Sequence, residues 1–449
     1  VYDSSGRVIR TFGPDGFLSS AFTYEVHSET GHGVTRYTDS TGATTVFHIN
    51  EALQVVAETD PLGHTAHFEF DAQDQLLAQT NALGHTTRFE RDAHGSLVCL
   101  VAPDGVRTTA VYNEMRQPVE VTERGGIRRS YAYDQQGNRT AVIEPTGART
   151  EYEFNDRGHV TGVRNAFGDV TRTTSDAAGL PLRITAPDGA STVCARDAFG
   201  RVTTVTDALG GTLRQGWTVE GKPAWRELPD GTREEWTWDA EGNLVGHTDR
   251  MGRTTSSTAT HFDLPVTTRI AEGGGYRFTH DTELRLTKVT NAQGLQWHYT
   301  YDAAGRLVSE TDFDGRTLSY EHDALGRLIR RTNAAGQSLT FERDVLGRVT
   351  QLHHDDGSVG VFTWGETGHV SRIMNAHARI DLQRDAAGRV ISETANGRTL
   401  AFAYDALGRP RSPAHPVRRR QRPRLHLGRT GHLHGRRPRL PLRPRRART

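Results

Sequence analysis

The chain repeats itself every 21 residues, and that period constrains its fold more than any other feature. Stepping by 21 from Asn50, Asp or Asn fills thirteen of sixteen slots through residue 365, the exceptions being Thr218, Thr260 and Gly365. A glycine thirteen residues after the slot is present in all fifteen units from Gly63 to Gly357. A second glycine stands three residues after the slot in most units, as at Gly95, Gly137, Gly200, Gly305, Gly326 and Gly347. A length of 449 residues alone suggests about three domains, but a fixed internal period overrides that expectation.

The two glycines, alternately 10 and 11 residues apart, divide the chain into segments of about six residues joined by turns of about four. The turn words DAAG, DALG, NALG and PDG place Asp or Asn where its side chain holds the turn and Gly where the backbone is left-handed. Reversal at every turn predicts an all-β, continuous antiparallel meander in which one repeat is one hairpin. A lone hairpin is too small to be stable, so stacked neighbours must supply its burial. At ~4.8 Å between strands each hairpin widens the sheet by roughly 10 Å, and about seventeen to nineteen of them should make it coil into a spiral or shell.

Val, Ile, Thr and aromatic residues fill the segments, as a pleated and half-buried surface requires. Eighteen residues after the slot stand Phe68, Phe89, Tyr131, Tyr152, Trp236, Phe278, Tyr299, Tyr320, Phe341 and Phe362. Two residues further on are Phe70, Tyr112, Tyr133, Phe154, Trp217, Trp238, Tyr301 and Trp364. Positions two apart share a strand face, so these rings should form a stripe along the sheet, with Val202, Leu307, Leu328 and Val349 packed beside it.

The words YDAAGRL (Tyr301 to Leu307), HDALGRL, YDALGR (Tyr404 to Arg409) and TNALGHTTRFERD (Thr80 to Asp92) resemble the RHS or YD-repeat family over roughly Val1 to Arg409. The resemblance implies a β-hairpin spiral forming a hollow cocoon. In bacterial members such a cocoon encloses a C-terminal toxin domain delivered to competing cells, and related shells occur in insecticidal toxin complexes and animal teneurins. The repeat signature is carried here by Tyr133, Asp134, Gly137, Gly147, Asp197, Gly200, Gly210, Tyr301, Asp302, Gly305, Arg306, Gly315, Asp323, Gly326, Arg327, Gly336, Asp344, Gly347, Tyr404, Asp405 and Gly408. As partners the resemblance implies a toxin cargo domain, absent from this chain, and a delivery protein of a secretion system. It also implies a shell that is cytoplasmic before export and secreted or at the cell surface afterwards. Toxin-bearing members carry an aspartate-proline boundary motif after the last repeats, where some cleave themselves. Nothing of that form follows Arg409, so neither an autoprotease nor a toxin is assigned.

Three segments follow. Residues 1–49 contain GPDG and DSTG turns at irregular spacing, 50–408 hold the regular repeats, and 409–449 form a tail. The chain opens at Val1 inside a unit and reads as a fragment. From Arg409 onward there are 15 Arg, 7 Pro and 4 His with no Asp, Glu, Lys or aromatic residue, whereas the preceding body has 40 basic against 54 acidic residues. With Lys222 and Lys288 the only lysines, GC-rich coding is indicated, and the tail reads first as an out-of-frame translation. The alternatives are an Arg-rich arm for nucleic acid or a linker, and in each case disorder is expected. No run of about 18 apolar residues is present, so no membrane span is expected.

Candidate chemistry is sparse. His353, His354, Asp355 and Asp356 are adjacent, His64 and His67 stand three residues apart, and His with carboxylate can bind a transition metal. Residues one or three apart on a strand face opposite ways, however, so turn and surface roles are expected and no metal or cofactor is assigned. The repeated aspartates read as turn caps rather than calcium ligands. The arginines after the first-turn glycine, such as Arg201, Arg306, Arg327, Arg348 and Arg389, read as cross-strand charge partners rather than a phosphate stripe. Cys99 and Cys194 lie about four and a half units apart, roughly 45 Å along a regular sheet, so no disulfide is expected. The aromatic stripe could bind sugars, but ring ladders between hairpins are the commoner use. The expected function is that of a non-catalytic shell segment, the alternative being a cell-surface adhesion or carbohydrate-binding module.

Overall fold

Each repeat contains two copies of one five-residue turn. At Asp323, the Gly326 N–H donates to the Asp323 carbonyl at 2.9 Å and the Asp323 N–H donates to the Arg327 carbonyl at 3.0 Å. Gly326 has φ +73, so a type I turn is followed by a left-handed residue, a connection whose twist suits a hairpin. The Asp323 Oδ1 accepts the N–H groups of Leu325 at 2.9 Å and Arg327 at 3.0 Å, and Asn81 accepts those of Leu83 and His85 in the same way. This is why Asp and Asn alternate at the slot. Where the glycine is missing the backbone is left-handed all the same, at Leu53 (φ +63), Asp74 (+62), Arg116 (+59), Asp263 (+59) and Leu284 (+62).

The computed structural model describes residues 1–26, 31, 33–271 and 273–411. These form one sheet of 38 strands, from Arg10–Thr11 to Arg398–Ala401, in which every strand pairs antiparallel with its chain neighbours, plus a small ladder of Ala403–Tyr404 with Pro410–Arg411. Among the described residues there is no α-helix, and no helix long and apolar enough to cross a membrane. The connections are five residues rather than four, and they join strands of five and six residues, as in Leu307–Thr311 and Thr317–His322. The segment 1–49 belongs to the same sheet through Ser20–Val26, Gly33–Thr38 and Thr44–Ile49. Arg409, Pro410 and Arg411 lie with the repeats, in the unit Val1–Arg411; the expected disorder of the basic tail concerns residues outside those described.

Curvature is built into the register. In the hairpin around Asp302, Tyr301 pairs with Leu307 but Thr300 pairs with Ser309, so Val308 is a bulge. The same shift occurs at each slot-turn hairpin from Ile49–Val55 to Arg384–Val390, and bulges increase local twist. Across the sheet, Thr300 aligns with Ser309 and Ser309 with Ser319, which occupies the position of His298 in the preceding repeat. The strands therefore slide two residues per hairpin. That stagger corresponds to a tilt of about 35°.

The sheet coils until it meets itself. Ser40 donates its N–H to Glu283 at 2.9 Å and its hydroxyl to Thr282 Oγ1 at 2.7 Å, the latter contact spanning 242 residues. Leu18 N–H donates to the Thr282 carbonyl at 2.8 Å, and the rings of Phe17 and Phe262 lie 5.6 Å apart. Further along, Thr367 approaches Gly125 so closely that a Cβ there would lie 2.9 Å from its Cγ2, and the Arg409 guanidinium covers the Phe167 ring at 5.4 Å. Apart from the contact of Leu18 in the irregular first segment, the interval is close to eleven and a half repeats. A half-integer number means that the slot turns of the later winding (281–285 to 405–409) meet the opposite-rim turns of the earlier one (39–43 to 165–169). Twenty-three strands, Thr44–Ile49 through Gly275–His280, complete the turn. If circular, that turn is about 40 Å across between backbones.

The wall is one layer thick. Its described buried apolar residues are few and mostly small: Val34, Ala57, Ala78, Cys99, Ala141, Phe278 and Val289. Stability therefore comes from the ladder and from contacts between adjacent repeats.

Because the left-handed slots impose a backbone that L-residues adopt at a cost, Leu53→Gly and Arg116→Gly should each stabilise the sheet by about 1 kcal/mol, and Gly326→Ala should destabilise it comparably. Raised and lowered thermal midpoints, respectively, are the expected readings; equal midpoints would show that the turns relax when substituted.

Candidate functional site

The densest recurring set of side-chain interactions lies where one hairpin is fastened to the next. Arg285 donates its N–H to Asp281 Oδ1 at 2.9 Å and its Nε–H to Asp281 Oδ2 at 2.7 Å, so the turn aspartate holds its own arginine. That guanidinium lies over the ring of Tyr301 in the following hairpin, 5.2 Å from its centroid. Tyr301 in turn donates its hydroxyl to the Leu286 carbonyl at 2.8 Å. Leu286 sits beyond the last ladder pair, Lys288–His298, that its strand makes with the next, so its carbonyl has no ladder partner on that side. The tyrosine supplies it.

This clasp recurs with its parts exchanged. Arg348, Trp364 and the Val349 carbonyl repeat it, as do Arg389, Tyr404 and the Val390 carbonyl. Lys222 lies over Trp238, whose indole N–H donates to the Pro223 carbonyl at 2.8 Å. Even the irregular first unit has it, with Arg7 over Tyr24 and the Tyr24 hydroxyl on the Val8 carbonyl at 2.7 Å. Arg343 fills the aromatic position in one unit and donates to the Leu328 carbonyl at 3.0 Å. In these units a long donor, ring or guanidinium, reaches the same carbonyl, whereas Phe70 and Phe154 fill the position without a donor.

The signature residues fall on these features. Tyr133 donates to the Pro118 carbonyl at 2.9 Å, Asp134, Asp197, Asp302, Asp344 and Asp405 cap slot turns, and Gly137, Gly200, Gly305, Gly347 and Gly408 are their left-handed residues. Gly147, Gly210, Gly315 and Gly336 serve the turns of the opposite rim. Arg306 and Arg327 clamp Asp302 and Asp323 at 2.7 Å, and Arg306 also donates to the Asp323 carbonyl at 2.9 Å, tying adjacent slot turns together. The expected cross-strand pairing of these arginines is thus replaced by pairing within the turn, because the five-residue loop brings its first and last side chains to the same side.

The rings do share one face, but few stack on one another. Phe278, Phe341 and Phe362 pair across strands with Val289, Leu352 and Ile373, aliphatic positions not expected as partners. In the richest cluster Trp297 lies 6.3 Å from Tyr299 and edge-on to Phe313 at 5.4 Å. Glu310 accepts from both Trp297 Nε1 at 3.2 Å and the Tyr320 hydroxyl at 2.6 Å. Burial, reinforced by the Glu310 charge, pushes the Tyr299 phenol up to about 12. Polar groups that could meet a sugar are here engaged with each other.

Two of the histidine candidates, His64 and His353, are also engaged. His353 Nε2 lies 2.9 Å from Glu342, and His354 opens a turn rather than standing free beside it. Asp355 accepts from Ser338, Asp356 accepts from the Ser358 N–H, and His64 contacts Asp60 at 3.0 Å. Among the described residues no three His, Cys, Asp or Glu side chains are grouped as a metal site would require. Cys99, buried, and Cys194, half-buried, are free thiols. A cleft of about 490 Å³ lies on the seam, between Arg149, Arg164 and Asn165 on one winding and Arg389, Tyr404 and Asp405 on the other. Its arginines are paired with Glu151, Glu153 and Asp385.

Comparison with known proteins agrees with the architecture. The RHS Repeat family model matches residues 70–109, 116–150, 176–212, 280–317, 322–359 and 384–414. No curated protein matches the sequence. Among solved structures, the TcdB2-TccC3 crystal structure superposes with a TM-score of 0.54 at 13% identity, covering 86% of this chain and 28% of that one. The Photorhabdus luminescens Tc holotoxin pore gives 0.53 at 13%, covering 87% and 27%. At such identity the likeness is one of fold, and the chain spans about a quarter of the length of those chains.

Tyr301→Phe keeps the ring but leaves the Leu286 carbonyl without its donor, at a cost of about 1 kcal/mol, which amide exchange should read as roughly fivefold faster exchange across Leu286–Asn291. Unchanged exchange would mean that the hydroxyl contributes nothing. The turn carboxylates add a pH dependence. Burial alone would raise Asp323, Asp344 and Asp385, but hydrogen bonds from Arg327, Arg348 and Arg389 outweigh it and hold all three below the usual carboxylate range. A native value below the unfolded one gives stability that is present above about pH 4 and lost as pH falls through the lowered native value. The triple variant Asp323→Asn, Asp344→Asn, Asp385→Asn should melt below the parent at neutral pH and approach it in acid; a pH-independent gap would refute the assignment.

Proposed function

Since this chain is a member of the RHS-repeat family, we propose that it is a wall segment of a toxin-type shell, non-catalytic itself, which encloses and presents a cargo domain lying outside this sequence. The observation that carries this reading is the seam, where a sheet one layer thick returns on itself after twenty-three strands. A coil about 40 Å across, less about 10 Å for side chains lining it, has room for a small or partly unfolded domain. The wall excludes proteases by continuity: each strand between the first and the last of the sheet is paired on both sides, and successive windings touch at their rims. The TcdB2-TccC3 and Tc holotoxin structures support a toxin assembly as the setting. In this reading the cargo is a toxin used between bacteria, a secretion-system protein delivers the shell, and the site of action is outside the producing cell.

The competing reading, a carbohydrate-binding adhesion module, draws on the Trp297, Tyr299 and Glu310 cluster. That cluster's hydrogen bonds run inward, to one another, which favours packing over ligand capture.

Co-expression with the domain encoded next in the native gene tests the shell. Co-purification, together with survival of that domain under a protease dose that digests it alone, is expected. Equal digestion with and without the wall would overturn the reading, and binding on a glycan array would favour the alternative.

A further inference from the structure

The face of the sheet opposite the rings carries a patch of cations that no acid balances. In the eight strands from Leu244–Thr248 to Thr317–His322 the only acids are Glu310 and Glu321. Glu310 is on the ring face, where Trp297 and Tyr320 donate to it, and Glu321 pairs across strands with Arg330, beyond the patch. Arg269, Arg277, Lys288 and His298 stand one on each of four successive strands. Arg277 lies between Tyr276 and Phe278 along its strand and His298 between Trp297 and Tyr299, so alternation places both opposite the rings. Arg277 pairs across strands with Thr267 and Thr290, and Lys288 with Thr279 and His298. Arg269 is two residues from Thr267 and Arg277 two from Thr279, so Arg269, Arg277 and Lys288 form a diagonal with steps of about 7–8 Å. Arg269, Arg277 and His298 are exposed and Lys288 is half-buried. Among the described residues, Arg269, Arg277 and Lys288 make no ion pair. Elsewhere on this face arginine is usually paired, as Arg107 with Glu90, Arg164 with Glu151, Arg214 with Glu227 and Arg330 with Glu321. Arg88 and Arg183 are exceptions, but neither has a second unpaired cation beside it.

Like charges on neighbouring strands repel, so a line of three without acids is favourable only when something anionic lies along it. Its spacing and surroundings narrow what that is. Alternate side chains of an extended chain lie about 6.6–6.8 Å apart on one side, close to the steps of the diagonal. Single-stranded nucleic acid binds through rings on which its bases stack, and every Phe, Tyr and Trp of these strands is on the other face. The strands are already paired on both sides, so recognition here uses side chains on the face rather than strand addition. We propose that this diagonal binds an extended acidic polypeptide segment, with carboxylates on alternate residues meeting Arg269, Arg277 and Lys288. Each guanidinium can take a carboxylate with two parallel hydrogen bonds, and the hydroxyls of Thr267, Thr279 and Thr290 flank the line as further donors. The patch acts in this way whether or not the wall encloses a cargo.

Lysine footprinting on the full chain tests this. Lys288 and Lys222 are the only lysines and the Arg-rich tail has none, so acetylation reads the patch free of any binding by the tail. Lys222, over Trp238 in its clasp, is the internal reference. With a peptide of alternating Glu and Thr at low salt, initial acetylation of Lys288 should slow about fivefold, the effect of a few exposed ion pairs, while Lys222 is unchanged. A peptide of the same composition with its Glu residues in one block should protect less, since adjacent side chains of an extended chain point opposite ways. Arg269→Thr with Arg277→Thr should remove the protection of Lys288; circular dichroism identical to the parent's verifies folding, as expected where threonine already fills neighbouring positions. Equal Lys288 rates with and without the alternating peptide, or protection that survives in the double variant, would overturn the proposal. So would oligothymidylate protecting Lys288 as strongly as the peptide, which would assign the patch to nucleic acid.

Discussion

The structure depends on one hydrogen bond repeated along the sheet, from a long donor side chain to a main-chain carbonyl of the hairpin before it. Each bulge that curves the wall leaves the neighbouring strand ends unable to complete their ladder, and a buried carbonyl without a partner costs about 1–3 kcal/mol. Tyr301, Trp364 and Tyr404 answer that need, and Arg285, Arg348 and Arg389 hold their rings from one face while being clamped by the turn aspartates. Curvature and its compensation are thus encoded in the same few positions. Chemistry that would ordinarily mark a site, an Asp beside an Arg beside a Tyr, is used here to join hairpins.

The second constraint is numerical. With twenty-three strands to a winding, the coil returns half a repeat out of phase, so opposite kinds of turn meet at the seam. Like turns would bring the same side chains face to face. The offset instead opposes Ser40 to Glu283 and Phe167 to Arg409. Gly125 stands where Thr367 comes closest, and its backbone is left-handed as well, so two separate demands select glycine at one position. A wall joined through sparse rim contacts and without a thick core is held mainly by its continuous ladder.

Much of this was readable from the residues. The turn positions, the alternation of strands, and the placing of rings on one face followed from the glycine and aspartate spacing. The turn capping by Asp134 and Asp302 followed from the chemistry of Asx side chains. Three things did not. The aliphatic partners Val289, Leu352 and Ile373 were missed because cross-strand partners depend on register, and the bulge moves the register by one residue. The arginines were assigned across strands, whereas the loop returns them to their own aspartates. The donor role of Tyr301 and Trp364 was invisible because it answers a carbonyl whose isolation exists only once the sheet is staggered.

The sequence by itself determined the hairpin: its turns, its strands, its two faces and its repetition, since each rests on steric and hydrogen-bonding preferences of residues near in the chain. How many hairpins make one winding, and which tips consequently meet across 242 residues, was decided only in three dimensions. The physical reason is accumulation. A small twist and a two-residue slide per hairpin leave no mark on any single repeat, yet summed over a winding they fix where the wall closes and which residues hold it there.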